Sequence, residues 1–411
     1  MAESEPIVVQ KFGGTSLATS DRIRNAAELV LSTKQGGRRP VVAASAMGST
    51  TDDLLDMAFD LTARPGERDL DLLLSTGEVV SSALLSILLN SMGSPAVAVT
   101  GPAAGIVTDG RYGRARIKTI NPGYLRGLVD EGVIPVVAGF QGISESGEVT
   151  TLGRGASDTT AVSLAVALGA HHCEINTDVD GIFSADPRIE PNARKLDKVT
   201  YEETLEMATL GAKVMHPRSI EVAERHNLRI VVRSSFNRNP GTEILASNEI
   251  DIEIGAKVRA VVHNANVARI TVLGVPDRPG LAQAIFQPLA DAAVNVDVIV
   301  QNLAHGGNTD ISFSVERTDL EKALGFVTPV AEEVGAGGVS SSSDLGTISI
   351  VGTGMQSTPG VAAQMFGALA SAGINITSIT TSEIRITCLI DENRLEDAVH
   401  VLHESFGLGC R

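Results

Sequence analysis

A lysine followed closely by two glycines, Lys11-Phe12-Gly13-Gly14-Thr15-Ser16, leaves a short apolar run at residues 7–10. Glycine lets backbone amides come close to an anion, and the ammonium adds a point charge suited to phosphate oxygens. A second glycine-rich stretch, Thr151-Leu152-Gly153-Arg154-Gly155-Ala156-Ser157-Asp158, ends one strand-like piece and opens a helical one. A guanidinium held among glycines at a helix start suits a carboxylate or phosphate fork. Each stretch also has a plainer explanation: a strand–turn–helix junction for the glycine pair, and a helix N-cap for Ser157 or Asp158. Two nucleotide signatures are excluded. No GxxxxGK[ST] occurs, and Asp158 stands where a dinucleotide fingerprint needs its third glycine. Lys213 in GAKVMHP and the acidic turn at residues 177–181 are weak alone, and His216 before Pro217 reads most simply as a core histidine.

These residues must be positioned by a large scaffold. The chain has 411 residues, room for two or three domains, with 43% apolar and 20% charged residues as in a globular enzyme. Aromatics are only 3% with no Trp, so Val, Ile, Leu and Ala build the core. Lys+Arg 33 against Asp+Glu 49 gives a net charge of -16, which disfavours nucleic acid and anionic membranes as partners. Cys173, Cys388 and Cys410 lie far apart, which argues against a disulfide framework or a zinc site and fits a reducing, cytoplasmic compartment. The acidic start MAESEP is no signal peptide, and no apolar stretch reaches 18 residues.

Strand-like and helix-like segments alternate over the first two-thirds of the chain. Strands are expected at 7–10, 40–45, 95–99, 133–137 and 172–176. Helices are expected from Ser20 as N-cap, over 51–62, 69–90 and 121–131, and from Ser157 to 168. That alternation predicts βαβ units and a covered, mostly parallel sheet, with polar backbone at strand ends where ligands bind. Beyond about residue 265 an internal repeat appears. Residues 269–296 match 347–376, with Pro279/Pro359, Gly280/Gly360, Phe286/Phe366, Leu289/Leu369 and Asn295/Asn375 all 80 positions apart. Each copy reads as a βαββαβ-like module. Between them the low-complexity stretch 335–343 (GAGGVSSSS) reads as a loop.

The ordered set KFGGTS (11–16), SAMGSTTDDL (45–54), STGE (75–78), VAGFQG (137–142), TLGRGASDTTA (151–161), NTDVDGIFSADPR (176–188) and GAKVMHPRSIE (211–221) resembles the aspartate kinases of the amino-acid kinase family. The C-terminal repeat resembles their paired regulatory ACT domains, so the likeness spans essentially the whole chain. It implies an α/β fold: an amino-acid kinase three-layer αβα sandwich at 1–250, then ferredoxin-like ACT modules at 265–335 and 345–411. Strands are exchanged between the modules, including 251–264. It also implies ATP-dependent phosphorylation of the L-aspartate side chain, with ATP carrying Mg2+. That reaction opens lysine, threonine, methionine and diaminopimelate biosynthesis, and feedback by lysine and/or threonine follows. Assembly is expected as a homo-oligomer or with a smaller ACT-only subunit, with no nucleic acid and no membrane. A kinase of another small acid, or a sensor that has lost turnover, are the alternatives.

By the same resemblance, Lys11, Arg154 and Asp158 are the catalytic residues. Lys11 contacts the transferring phosphoryl group, Asp158 orients Lys11, and Arg154 clamps the α-carboxylate of aspartate. Glu78 pairs with the substrate ammonium, and Ser45, Thr51, Gly155 and Ser157 complete that site. Phe12, Gly13, Gly14, Thr177, Asp178, Phe183, Arg188 and Lys213 line the nucleotide site. Magnesium is expected on the nucleotide phosphates and water, with few direct protein ligands and no metal-binding residue assigned. Effectors are held by Asp277, Gly280, Leu281, Ala282, Asn295, Asp297 and Gln301, and in the second copy by Val361, Ala362, Asn375, Ile376, Ser382 and Glu383. A plainer role for Asn295 and Asn375 is to end helices in the left-handed conformation. Ala156 stands where the family usually has glycine, so its methyl group is expected to narrow the approach to substrate. Phe183 stands where many relatives have Tyr.

Overall fold

The computed structural model describes residues 5–153, 155–212, 215–249, 257–301, 307–355 and 358–409. Arg154 and Lys213 therefore lie outside the described residues. The chain divides into two compact units: Met1–Phe183, Lys195–Thr209 and Lys213–Gly255 form the first, and Ser184–Arg194, Leu210–Ala212 and Ala256–Arg411 the second.

The first unit opens with β1 (Ile7–Phe12), α1 (Ser20–Gln35), β2 (Arg39–Ala44), α2 (Thr50–Leu61), α3 (Glu67–Ser91) and β3 (Ala96–Val99). It continues with β4 (Ile106–Thr108), β5 (Ile117–Ile120), α4 (Gly123–Asp130), β6 (Ile134–Ala138), β7 (Gln141–Ser144), β8 (Val149–Thr151), α5 (Ser157–Leu168) and β9 (His172–Thr177). It closes with β10 (Lys198–Thr200), α6 (Tyr201–Thr209), α7 (Pro217–Arg225), β11 (Ile230–Ser234) and β12 (Thr242–Leu245). Eight strands form the main sheet in the order β10-β12-β11-β9-β1-β2-β6-β3, parallel except for the β11–β12 pair. The sequence explains why: β2 and β6 are almost continuous apolar runs buried along their lengths, as parallel strands covered on both faces must be. Helix α5 is buried on nearly every side, which its SDTTAVSLAVAL sequence permits because it is small and uncharged after Asp158. The chain runs from β1 through β2 to β6 and β3 on one side, then returns to β9 and β11 on the other. That reversal at β1 is a topological switch point, where α/β sheets bind ligands outside the carboxyl ends of their strands. A four-stranded sheet, β5-β4-β7-β8, carries the chain into residues 151–158.

The second unit contains β13 (Ala260–Pro276), α8 (Leu281–Asp291), β14 (Ile299–Gln301), β15 (Asn308–Val315), α9 (Leu320–Glu333) and β16 (Gly338–Val351). Its last elements are α10 (Val361–Ser371), β17 (Ser378–Thr381), β18 (Arg385–Asp391) and α11 (Leu395–Ser405). One six-stranded sheet, β14-β15-β13-β16-β18-β17, joins both repeats. The long strands β13 and β16 pair antiparallel from Ala260↔Val351 to Leu273↔Gly338. The early half of β13 therefore lies in the second module's sheet, and the early half of β16 in the first's. Leu281, Ile285 and Leu289 of α8 and Ala323, Val327 and Ala331 of α9 pack with Ile270, Ile311 and Phe313 as the first module's core.

Three local expectations change. Residues 338–343 are strand, not loop: a serine run lacks the period-2 apolar signal, but its backbone pairs with residues 269–272 of β13. Thr19, not Ser20, caps α1, its hydroxyl accepting from Arg22 N at 3.3 Å. Helix α3 is apolar and long enough to cross a membrane by mean hydropathy, yet half of its apolar window is buried in the fold, including the carboxylates Asp71 and Glu78. It is a core helix.

Candidate active site

Lys11 and Asp158 meet at the carboxyl end of β1. Lys11 Nζ lies 2.7 Å from Asp158 Oδ1, and both side chains are almost fully buried. The second carboxylate oxygen of Asp158 accepts from the His216 amide at 3.1 Å. Asp158 sits in the first turn of α5, where the helix dipole favours an anion. The N-cap of α5 is Ala156 and makes no side-chain hydrogen bond, so neither Ser157 nor Asp158 has the capping role open to it in the sequence. His216 is likewise not a core residue: it caps α7, with Nδ1 accepting from Arg218 N at 3.2 Å.

Around that pair the strand ends converge. The Gly13 amide donates to Asn176 O at the end of β9, and a Cβ built on Gly13 would lie 3.5 Å from Lys11 Nζ. A Cβ on Gly14 would lie 3.0 Å from the Ala46 carbonyl and 3.2 Å from that of Gly48, so a larger residue would crowd the crossing. Ser45 follows β2, its amide donating to Phe12 O at 3.1 Å and its carbonyl accepting from Ser81 Oγ at 2.7 Å. Thr51 lies in the first turn of α2. Gly139, after β6, faces Ser157 so closely that a Cβ would stand 3.1 Å from the serine Oγ. The residue after it, Phe140, takes a left-handed φ of 65° while 5% exposed, a conformation non-glycine residues rarely adopt.

Glu78 reaches this centre from α3. It is 3% exposed, Oε1 accepts from the Ala46 amide at 3.1 Å, and Oε2 has no hydrogen-bond partner among the described residues. Burial pushes its carboxyl from the ordinary 4.5 up to about 7, with the Ala46 amide opposing. The helix comes this close because residue 77 is glycine: a Cβ there would stand 2.9 Å from Ala46 Cβ. A buried acceptor without a described partner calls for an explanation.

The methyl of Ala156 does not face this cradle. It is fully buried in a cluster with Leu74, Ala115, Phe140 and Leu152, so the expected narrowing does not occur. Gly155 has a φ of 76°, which explains why glycine is needed there and not at 156, whose φ is -78°. Thr177 ends β9 and donates from Oγ1 to Asp178 Oδ1 at 3.1 Å. Phe183 bridges to Lys195 at the neck of the chain's excursion into the second unit. Arg188 belongs to that excursion and its guanidinium forks onto Asp186, with Nη2–Oδ2 at 2.6 Å. Asn176 was missed although it lies inside the NTDVDG motif. It is fully buried and donates to Lys11 O at 3.2 Å, so it fixes the backbone of the lysine.

In the second unit, Gly280 and Gly360 cap α8 and α10 with φ of 95° and 100°, leaving open space before Leu281, Ala282, Val361 and Ala362. Asp277 is held by its amide on Gly307 O. Asp297 lies 3.8 Å from Arg385 of the second module, and Val298 and Val300 pack with Leu345 and Leu389. Asn295 is the polar residue lining an open cavity of about 370 Å³ with Phe286, Leu289, Val296 and Ile299, while Gln301 is on the adjoining edge strand. Asn375 and Ile376 occupy the matching connection after α10, and Ser382 and Glu383 the turn before β18. Neither asparagine is left-handed; Ala293 (φ 55°) and Gly373 (φ 67°) end those helices instead.

Comparison with known proteins agrees with this architecture. Residues 6–234 match the amino acid kinase family, and residues 268–325 and 348–406 each match the ACT domain. The chain is 49% identical to the aspartokinase of Mycolicibacterium smegmatis, over 98% of this chain and 96% of that one. Among solved structures it is similar to Escherichia coli aspartokinase III in complex with aspartate and ADP, in the R-state. The TM-score is 0.81 at 26% identity, covering 97% and 99% of the two chains. The same enzyme in complex with lysine and aspartate, in the T-state, gives a TM-score of 0.75 over the same coverage.

Proposed function

Because the chain belongs to the amino acid kinase family, and within it to the aspartokinases, we propose that it passes the γ-phosphoryl group of ATP to the side-chain carboxylate of L-aspartate at the cluster around Lys11 and Asp158. A carboxylate with a pKa of about 3.9 is already ionised at neutral pH, so no general base is needed. The difficulty is bringing one anion to another, and fixed positive charge and amide dipoles answer it. The aspartate oxygen forms the new P–O bond as the bond to ADP breaks. Lys11 then faces the transferring group, held in place by Asp158. The amides of Gly13 and Gly14 border the phosphates, and Thr177, Asp178, Phe183, Arg188 and Lys213 serve the nucleotide. The unpartnered Oε2 of Glu78 takes the substrate ammonium, Arg154 takes its α-carboxylate, and Ser45, Thr51, Gly155 and Ser157 supply hydrogen bonds.

Among the described residues no three acidic, histidine or cysteine side chains cluster into a metal cage. Magnesium carried by the nucleotide would offset phosphate charge beside Lys11. Buried, unpaired Cys173 and Cys388 suit a cytoplasmic setting.

Aspartokinase III binds lysine in its T-state, and the paired ACT modules here support regulation by lysine, with threonine as a second effector. The site's observation is the 2.7 Å Lys11–Asp158 pair beside the unpartnered oxygen of Glu78. The test is ATP-dependent aspartyl phosphate formation, trapped as the hydroxamate, with lysine and threonine singly and together. Activity that falls with lysine supports the reading. In the same assay Lys11→Ala is expected to lower kcat by about 10²–10³-fold, and near-normal turnover would overturn the role of Lys11.

A further inference from the structure

A buried carboxylate outside the reacting cluster holds the approach to it. Asp71 lies on α3 two turns before Glu78 and is 1% exposed. Its Oδ1 accepts from Thr151 Oγ1 at 2.7 Å and its Oδ2 from the Thr151 amide at 2.7 Å, while the Gly113 amide lies 3.0 Å from both oxygens. Its described hydrogen-bond partners are all neutral. From the other direction Arg218 of α7 donates through Nη1 to Leu152 O at 2.8 Å and through Nη2 to Ala115 O at 2.9 Å. Ala115 N closes the set on Thr151 O at 2.8 Å.

We propose that Asp71 is a positioning residue for the amino-acid substrate, tying the end of β8 at Thr151 to the helix that carries Glu78. The assignment rests on Glu78 and residues 154–157 being the aspartate site. Residues at i and i+7 share a helix face about 10.5 Å apart. The group that would hold the substrate ammonium and the strand end at Thr151 that leads toward Ser157 thus take their separation from one rigid element. The far end of residues 151–158 is fixed by Asp158 on Lys11. Loosening the Asp71 hold on Thr151 is therefore expected to disturb the aspartate ligands and to leave the nucleotide side in place.

Asp71→Asn keeps the shape but replaces one acceptor oxygen by an NH2 group facing N–H donors. It is expected to raise the KM for aspartate at least tenfold, with the KM for ATP within twofold. An unchanged aspartate KM, or two KM values rising in parallel as general loosening would produce, overturns the role. Thr151→Val, which removes one hydroxyl donor and keeps the amide, serves if the asparagine variant does not fold. About a threefold rise in aspartate KM alone is expected there, and no rise overturns the proposal. Glu78→Gln separates the two possible failures. A normal aspartate KM in that variant overturns the site assignment and the positioning role with it. A raised value there beside a normal one in Asp71→Asn overturns the positioning role alone.

Discussion

Glu78 is stabilised as an acid by burial and would be needed as a base by an ammonium ligand. With its carboxyl raised to about 7 in the free protein, kcat/KM for aspartate is expected to rise as pH passes upward through about 7 and to level off above it. Glu78→Gln should remove that limb, and an unchanged limb would assign it to another group. Stability carries the opposite sign. A carboxyl whose pKa rises on folding contributes stability that is complete below its ordinary 4.5 and lost as pH rises through about 7. Glu78→Gln is therefore expected to be more stable than the parent by about 3 kcal/mol at pH 8, with the difference vanishing toward pH 4.5. Urea unfolding at the two pH values measures both. Ala156 makes a simpler case. Its methyl is packed away from the cradle, so Ala156→Gly should leave the aspartate KM within twofold while lowering stability by about 1 kcal/mol. A large fall in KM would show that the methyl does reach substrate.

At the scale of elements, the two regulatory modules differ where they were expected to match. Asn295 and Asn375 are 80 positions apart and look like helix terminators, but the left-handed residue lies two positions earlier, where one module has Gly373 and the other Ala293. Ala293 is exposed, so its Cβ gains little from packing and bears the cost of the left-handed backbone. Ala293→Gly is expected to raise stability by about 0.5–1 kcal/mol by chemical denaturation, and a loss would mean that the methyl is buried in an assembly. The serine run of β16 shows the converse. Nothing in its side chains demands a strand, and the ladder to β13 supplies the reason from outside.

At the scale of the whole molecule, the chain leaves the catalytic unit after Phe183 and rejoins it at Lys195, and the eleven residues between belong to the regulatory unit. That excursion is well anchored there. Ser184 Oγ meets His403 Nε2 at 3.0 Å, donates to Leu408 O at 3.2 Å and accepts from Arg194 N at 2.8 Å. His400 pairs with Glu190 at 2.8 Å and holds its carboxyl below the usual range. Since the residues flanking the excursion include Phe183, Ser184→Ala is expected to raise the lysine concentration for half inhibition at least threefold. The uninhibited kcat should stay within twofold, and an unchanged inhibition curve would reduce the segment to scaffold.

The sequence by itself determined the alternating elements, the two regulatory repeats and the residue types of the site, because periodicity, glycine pairs and motif order are local properties of a chain. Lys11 and Asp158 were paired there by resemblance; their 2.7 Å contact comes from β1 and α5 meeting across 147 positions. Only the tertiary structure decided that Glu78 Oε2 is buried without a partner among the described residues, that the Ala156 methyl points into the core, and that Asp71 and Arg218 hold one segment from two helices. Each of those depends on burial and on donors far away in sequence, and neither quantity is written in the neighbouring residues.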